Sequence, residues 1–354
     1  MKAKTMKALV YRGPGQYQLE DVAMPEIIDP TDVVARVTLS AICSSDVHVT
    51  HGHMNNVTTP KILGHEFCAE ITEVGSAVKT LKVGDRVQVM PGIYCGSCNF
   101  CKAGVAILCE HKDAGCFGAN GPDGCQAEYV RIPLAEKFCI KVPEGIQDED
   151  IILLGDMMGT ARYGLENAKF TPGQSIAVMG VGPVGLCTCL LAKKVYGARQ
   201  VIAIDIIQSR LDLAIANGAA DIGINPQTDD LITTFKAVAG GGVDVVVETV
   251  GQEQTLQMDF ALARPGGVVS NLAIFSESIN LPVPAMTVKN IKFISGIQFC
   301  EGVEKILPLI QSGQIDTRFI QTHRAPLNDI LKGYDIFGNQ KDGCVKWLVT
   351  PYEL

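Results

Sequence analysis

The stretch Ser175-Ile176-Ala177-Val178-Met179-Gly180-Val181-Gly182-Pro183-Val184-Gly185 decides the fold, because a short apolar run leads straight into the pattern G-x-G-x-x-G. Placed after a strand and at the opening of a helix, the pattern has physical meaning. Gly180 permits the tight turn, Gly182 lets backbone approach a pyrophosphate, and Gly185 allows the helix to pack closely on the strand. With Pro183 and Val184 opening the helix, a phosphate rests on its N-terminus, where unpaired N–H groups and the dipole favour an anion. A purely structural turn also uses glycines, so the surrounding pattern carries the reading. Asp205 lies 20 residues beyond Gly185, at the end of the next apolar run. A carboxylate there can accept hydrogen bonds from the adenosine ribose and repels a 2′-phosphate, which predicts NAD in preference to NADP. The alternative is that Asp205 caps the following helix. Arg210 can add a ribose contact or remain a solvated charge.

Outward from this point, apolar runs alternate with helical spacing. Strands are expected at 175–180, 200–205, 221–225, 243–250, 268–273 and 291–295. Helices are expected over 184–196, 209–217, 230–239 and 252–263, the last stopping at Pro265-Gly266-Gly267. Runs apolar on both faces and separated by helices describe a six-stranded, parallel, doubly wound α/β sheet. The chain before it differs. Short strands at 33–39, 69–74 and 86–90 are broken by turn clusters such as Val83-Gly84-Asp85 and Gly121-Pro122-Asp123-Gly124, so this part is mostly β. After Ser295 come a helical stretch at 303–312 and strand-like residues over 344–350, too short for a domain and expected to pack back on the N-terminal part. The expected division is 1–156, 157–296 and 297–354.

At 354 residues the chain has room for two or three domains. Its 30 Lys and Arg against 38 Asp and Glu leave a formal charge of −8, in a composition 47% hydrophobic and 19% charged. This is globular composition, and without a basic excess to displace phosphate counterions it excludes broad nucleic-acid binding. The expected partner is a small molecule. Neither a long apolar run nor a signal-like N-terminus occurs, which predicts a cytosolic protein with no membrane association.

Thirteen cysteines are an odd number, and their spacing favours metal over a disulfide framework. Cys95, Cys98, Cys101 and Cys109 form C-x2-C-x2-C-x7-C in a Gly-containing loop. Four thiolates so spaced can close a tetrahedral shell around one zinc with no position open to substrate, which makes the site structural. Unrelated core cysteines do not cluster in a polar loop. A second set is spread along the chain: Cys43, the pair His65-Glu66, and Asp156. Taken singly, each has a plainer reading, a small core hydrophobe for Cys43 or an N-cap for Asp156.

Cys43-Ser44-Ser45-Asp46-Val47-His48, Gly64-His65-Glu66, the four-cysteine loop, Asp156-Met157-Met158, the glycine fingerprint and Asp205 together carry a resemblance. Over essentially its whole length the sequence resembles the zinc-dependent medium-chain alcohol dehydrogenases, in particular their secondary-alcohol and diol dehydrogenase-like branch. The resemblance implies a GroES-like, mostly β catalytic domain, a Rossmann domain that binds NAD, and an active-site cleft between them. It implies that Cys43, His65 and Asp156 bind a catalytic zinc, with Glu66 a nearby carboxylate able to enter or leave the shell. Many members use a second Cys where this sequence has Asp156. One thiolate, one carboxylate and a neutral His still balance Zn²⁺, so a bound hydroxyl remains acidified. Unlike the NADP-dependent microbial members of that branch, this sequence keeps both the four-cysteine loop and an acidic residue at Asp205.

Ser45 and His48 occupy the placement of the family's proton relay, a hydroxyl passing a proton towards an imidazole. His51 and His53 are relay neighbours or exposed loop histidines. The same resemblance brings Thr160 near the nicotinamide and Lys346 to the cofactor, while Phe117 and Met158, by their position beside the motifs, are either pocket or core residues. It implies two zinc ions per chain and a homo-oligomer, a tetramer before a dimer. The expected activity is oxidation of an alcohol, from a secondary alcohol/ketone pair, with NAD, and the reverse reduction. The alternatives are a polyol or diol dehydrogenase of the same family, acting on butanediol-, sorbitol- or threonine-like substrates, or a non-catalytic, zinc-stabilised protein that responds to a nucleotide.

Overall fold

Six strands drawn from the apolar runs after residue 174 form one parallel sheet, in the order Ile222–Ile224, Gln200–Ile204, Ser175–Met179, Val243–Glu248, Ala263–Asn271, Lys292–Ser295. In this computed structural model, residues 4–54, 56–297, 299 and 302–352 are described. Every residue of Ser175–Met179 is buried, as a central strand covered on both faces requires. The covering helices are Pro183–Lys194, Gln208–Ala216, Leu231–Ala239 and Glu253–Leu262. Ile202, Ile204, Val246, Leu256, Phe260 and Val269 meet in the core between sheet and helices. Strand order reverses between Ser175–Met179 and Val243–Glu248, so the loops that leave those two strands lie side by side. There Thr249 donates from its backbone to Met179 O at 3.0 Å and from its hydroxyl to Gly180 O at 2.7 Å.

One boundary differs from the sequence reading. The strand expected from residue 268 starts at Ala263, directly after the helix, and runs through Pro265-Gly266-Gly267. Its register shifts from Ala263 opposite Val243 to Val268 opposite Val245, so the Pro-Gly-Gly segment is a bulge inside the strand and not a break before it. Pro265 has no N–H to give the ladder, and a bulge is where a sheet tolerates that. The helical stretch expected at 303–312 is a 3-10 turn, Val303–Ile306, continued by the short helix Leu307–Gln311, with Pro308 in the first helical turn where its missing N–H costs nothing.

The chain divides into two units, 157–297 with 312–315 around the parallel sheet, and 1–156 with 298–311 and 316–354. The second of these is built on antiparallel pairing. Val33–Ile42 is flanked by Glu66–Val74 on one side and Trp347–Thr350 on the other, with Tyr129–Ile132 also paired to it. Ala41 lies opposite Glu66 and Ile42 opposite Trp347, so Lys346 is drawn alongside Cys43. A smaller sheet joins Gln16–Ala23, Thr5–Gly13 and Lys61–Ile62. Among the described residues, no helix is long and apolar enough to cross a membrane.

Gly185 shows how close the glycine loop packs: a Cβ there would run into Gly180 O. Gly185→Ala is expected to lower the thermal unfolding midpoint, by overpacking of about 1–3 kcal/mol. An unchanged midpoint in a thermal melt would show that the loop can relax.

Candidate metal centres and cofactor site

Cys43 closes the strand Val33–Ile42 and is the N-cap of the helix Ser44–Thr50. Asp46, in the first turn of that helix, accepts the backbone N–H of Cys43 on Oδ2 at 2.9 Å. Its other oxygen, Oδ1, lies 3.2 Å from His65 Nδ1. Gln126 donates to Asp46 Oδ2 at 3.1 Å, and the Tyr334 hydroxyl donates to Gln126 Oε1 at 2.7 Å. This buried chain fixes the ring of His65 with Nδ1 towards Asp46 and Nε2 towards the other donors. His65 Nε2 is 3.2 Å from Ser45 Oγ and 3.4 Å from Asp156 Oδ2, which in turn is 3.5 Å from Cys43 Sγ.

Asp156 arrives by a different route. It sits in a single π-helical turn, Leu154–Met158, a geometry that often marks functional sites. The preceding Gly155 lies flat on the strand Arg86–Val89, where any Cβ would collide with the Gln88 side chain and come within 3.0 Å of Val89 O. One donor atom from each of Cys43, His65, Glu66 and Asp156 falls within 4.8 Å of the others. Glu66 and Lys346 are both fully buried and paired through Glu66 Oε1, while Glu66 Oε2 has no hydrogen-bond partner among the described residues.

The charges explain what this cluster favours. Burial works against a charged His65, but Cys116, Asp46 and Cys43 outweigh it and hold its proton affinity well above that of an ordinary imidazole. Burial likewise pushes Asp156 up, yet its bond to His65 leaves it below the usual carboxylate range. Burial, and then the charge of Asp156, raises the Cys43 thiol. Glu66 is raised by burial to about 7, against the opposing pull of Lys346. The surroundings therefore stabilise positive charge at the point where an orphaned carboxylate oxygen, an imidazole, a thiol and a second carboxylate converge. That is a donor set for zinc, and the residues present fit the ion.

Lys346, expected at the cofactor, is placed inside the Cys43 cluster. Its side chain is fully buried and its ammonium is taken by Glu66, because antiparallel pairing with Val33–Ile42 brings it beside Cys43. Burial opposes its charge, but Glu66 more than compensates and raises its pKa. Asp46 and Gln126 carried no assigned role in the sequence reading. Asp46 could have been found from its position three residues after Cys43, a capping spacing, whereas Gln126 has no sequence signal. Phe117 is core, edge-to-face on Phe67 at 5.5 Å, and Met158 is fully buried. His48 is half-buried on the helix Ser44–Thr50, with His53 at 5.8 Å between ring centres, and His51 and His53 are exposed.

The Sγ atoms of Cys95, Cys98, Cys101 and Cys109 also lie within 4.8 Å of one another. Backbone N–H groups point at these sulfurs: Ser97 and Cys98 donate to Cys95, and Cys95 and His111 to Cys109. The Ser97 hydroxyl and the N–H groups of Ser97 and Cys98 lower the Cys95 thiol to about 5, the thiolate form that zinc needs, while burial pushes the Cys101 thiol up to about 12.

At the glycine fingerprint, Gly182 is the N-cap of the helix Pro183–Lys194 and Pro183 its first residue. Asp205 Oδ2 accepts the Val181 N–H at 2.8 Å, and Oδ1 accepts the Ile207 N–H at 2.8 Å. The carboxylate thus ties the glycine loop to the start of the helix Gln208–Ala216, with Arg210 Nη1 3.6 Å away. Thr160 is half-buried in the helix Gly159–Asn167.

This fold and these sites agree with what the chain is similar to. It matches the alcohol dehydrogenase GroES-like domain over residues 29–144 and the zinc-binding dehydrogenase family over residues 183–312. An alcohol dehydrogenase of Cupriavidus necator is 33% identical over 98% of this chain and 99% of its own length. A probable D-xylulose reductase A of Aspergillus clavatus is 36% identical over 89% of this chain and 88% of its own. Among solved structures, the alcohol dehydrogenase of Thermus sp. ATN1 is 32% identical with a TM-score of 0.89, covering 98% of this chain and 99% of that one. The chain belongs to the zinc-dependent medium-chain alcohol dehydrogenase family. It is an oxidoreductase that uses zinc and a nicotinamide cofactor.

Asp46→Asn is expected to weaken metal retention at the Cys43 cluster by about 10–100-fold, the usual cost of losing a carboxylate behind a ligating histidine. Competition with a chelator measures this, and unchanged retention would remove Asp46 from the role.

Proposed function

We propose that this chain oxidises a secondary alcohol to a ketone with NAD, and runs the reverse reduction, at the centre formed by Cys43, His65 and Asp156. The observation that carries this reading is Ser45 Oγ at 3.2 Å from His65 Nε2, which sets a proton-accepting hydroxyl on the donor cluster itself. Bound there, zinc supplies the Lewis acidity that acidifies the substrate hydroxyl, and NAD supplies the hydride acceptor. Ser45 takes the alcohol proton and His48, three residues along the same helix, receives it. Burial and then the charges of His53 and His51 lower the His48 pKa, so the ring is neutral and able to accept a proton near neutral pH. Glu66, held by Lys346, keeps Oε2 free to approach the metal or withdraw from it.

In this reading residues 1–156 and 297–354 provide catalysis and 157–296 hold the cofactor. Gly180, Gly182, Pro183, Val184 and Gly185 carry the pyrophosphate, Asp205 and Arg210 lie at the ribose, and Thr160 lies near the nicotinamide. The four-cysteine loop holds a second zinc that contributes stability, and such thiolates suit the reducing cytosol. Lys292–Ser295 ends the parallel sheet, and Val283, Val288 and Ile297 beside it in sequence are exposed, which supports self-association, as a tetramer before a dimer. A polyol substrate is the second reading, favoured by the 36% identity to the probable D-xylulose reductase.

NAD reduction measured over a panel of secondary alcohols and polyols separates these two substrate classes, and no turnover with either would overturn both. Metal analysis is expected to give two zinc ions per active chain. His48→Ala is expected to slow oxidation at neutral pH by about tenfold to a hundredfold while zinc content holds, with partial rescue by imidazole. An unchanged rate and pH profile, where chemistry limits turnover, would exclude His48 from the relay.

A further inference from the structure

Two carboxyl groups are buried together in the parallel-sheet unit and take no part in the chemistry above. Glu248 ends the strand Val243–Glu248, and Asp259 faces it from the helix Glu253–Leu262. Both residues are 0% exposed. Three of their four oxygens, Glu248 Oε2 and both of Asp259, have no donor among the described residues. The fourth, Glu248 Oε1, accepts the N–H groups of Val250 and Gly251, the latter at 3.0 Å. Those residues follow Thr249, whose hydroxyl holds Gly180 O. The packing is tight as well, since a Cβ on Gly180 would fall 2.6 Å from Val250 Cγ2 and 3.0 Å from Thr249 Oγ1.

Two adjacent carboxylates at zero exposure cannot both be ionised when, among the described residues, no cation is paired with either to offset their repulsion. The charged groups on the packed elements have other partners. Asp244 and Arg264 pair with each other at 2.7 Å, and Asp244 also accepts from Ser175, all at the opposite end of the strand. Glu253 accepts from Asn280, and Lys289 donates to the carbonyls of Phe260, Ala261 and Ala263. The strand Ser175–Met179 carries no ionisable side chain. A proton between the two carboxyls is what remains, and it satisfies orphaned oxygens on both.

We propose that Glu248 and Asp259 share one buried proton, and that this proton makes the pair a positioning element that holds residues 249–251 against the glycine loop that binds NAD. Glu248 Oε1 meanwhile accepts the two loop N–H groups. The role rests on the cofactor reading given above, but the shared proton does not. Burial, and then the charge of Glu248, push the Asp259 carboxyl well above its usual range. A carboxyl whose proton affinity is higher folded than unfolded stabilises the fold at low pH, and that contribution is lost as pH rises through the folded value. Alkaline pH should therefore loosen the loop.

Asp259→Asn tests this, since a carboxamide N–H donates to Glu248 without titrating. In the zinc-loaded enzyme, infrared spectra near neutral pH should show a protonated-carboxyl stretch that the variant lacks. NAD affinity of the unmodified enzyme should weaken about threefold or more as pH rises above neutrality, within the tenfold per pH unit that one proton allows, and the variant should lose much of that slope. Absence of the stretch from the unmodified enzyme, or the same slope in the variant, overturns the proposal. If the unmodified enzyme binds no NAD at any pH, the cofactor reading and the positioning role both fall, and the infrared band still decides the shared proton. Should Asp259→Asn not fold, the band and the alkaline loss of melting temperature in the unmodified enzyme, compared with Asp259→Leu, give the same decision.

Discussion

The antiparallel unit of the molecule depends on how buried negative charge around His65 is balanced. Asp46, Asp156, Glu66 and Cys43 bring four groups able to carry negative charge into one place, and Lys346 is the buried ammonium among them. Burial of unpaired charge is costly, so each member has to be tied to another. Asp46 is tied three ways, to the Cys43 N–H, to Gln126 and to His65. Lys346 is committed to Glu66. Where the His65 imidazole, the Cys43 thiol, Asp156 and one free oxygen of Glu66 converge, the negative groups outnumber the cations, and the donors have the geometry of a metal site.

Supplying those groups accounts for much of the architecture of that unit. The central strand Val33–Ile42 delivers Cys43 at its end, its neighbour Glu66–Val74 delivers His65 and Glu66 at its start, and Trp347–Thr350 from the far end of the chain delivers Lys346. A helix that breaks into a π-turn delivers Asp156. Tyr334, from the last helix, anchors the hydrogen-bond chain behind His65 through Gln126. The C-terminal segment is therefore part of the site's electrostatics as well as of its core, where Trp347 and Val349 pack with Leu9 and Ile42.

The parallel-sheet unit meets a related problem with different means. Its glycine loop is braced on one side by Asp205, which accepts the Val181 N–H, and on the other by Thr249, which holds Gly180 O. Thr249 sits between Glu248 and the loop whose N–H groups Glu248 accepts. Around His65 the buried carboxylates are tied to Lys346, to the imidazole and to neutral donors, whereas among the described residues no cation pairs with Glu248 or Asp259. In both places a buried acid positions backbone, and in both its usefulness depends on what neutralises it.

The parallel sheet was legible in the sequence because its strands are apolar on both faces and its glycines stand between a strand and a helix, a purely local pattern. The four-cysteine loop was legible for the same reason: all four donors fall within 15 residues, residues 95–109. Cys43, His65 and Asp156 could be singled out only through a family resemblance, since nothing local says that residues so far apart in sequence meet. The pairing of Lys346 with Glu66 was not legible, because strand register and burial decide which acceptor an ammonium reaches. The bulge at Pro265-Gly266-Gly267 was taken for a strand boundary, since ladder pairing across it is non-local. Asp259 drew no attention at all: an acid on an amphipathic helix is ordinarily solvated, and only the tertiary packing turns it inward against Glu248. Local pattern determined the elements and the compact motifs, and the pairing of distant segments decided which charges face each other, because that pairing sets the burial on which their chemistry depends.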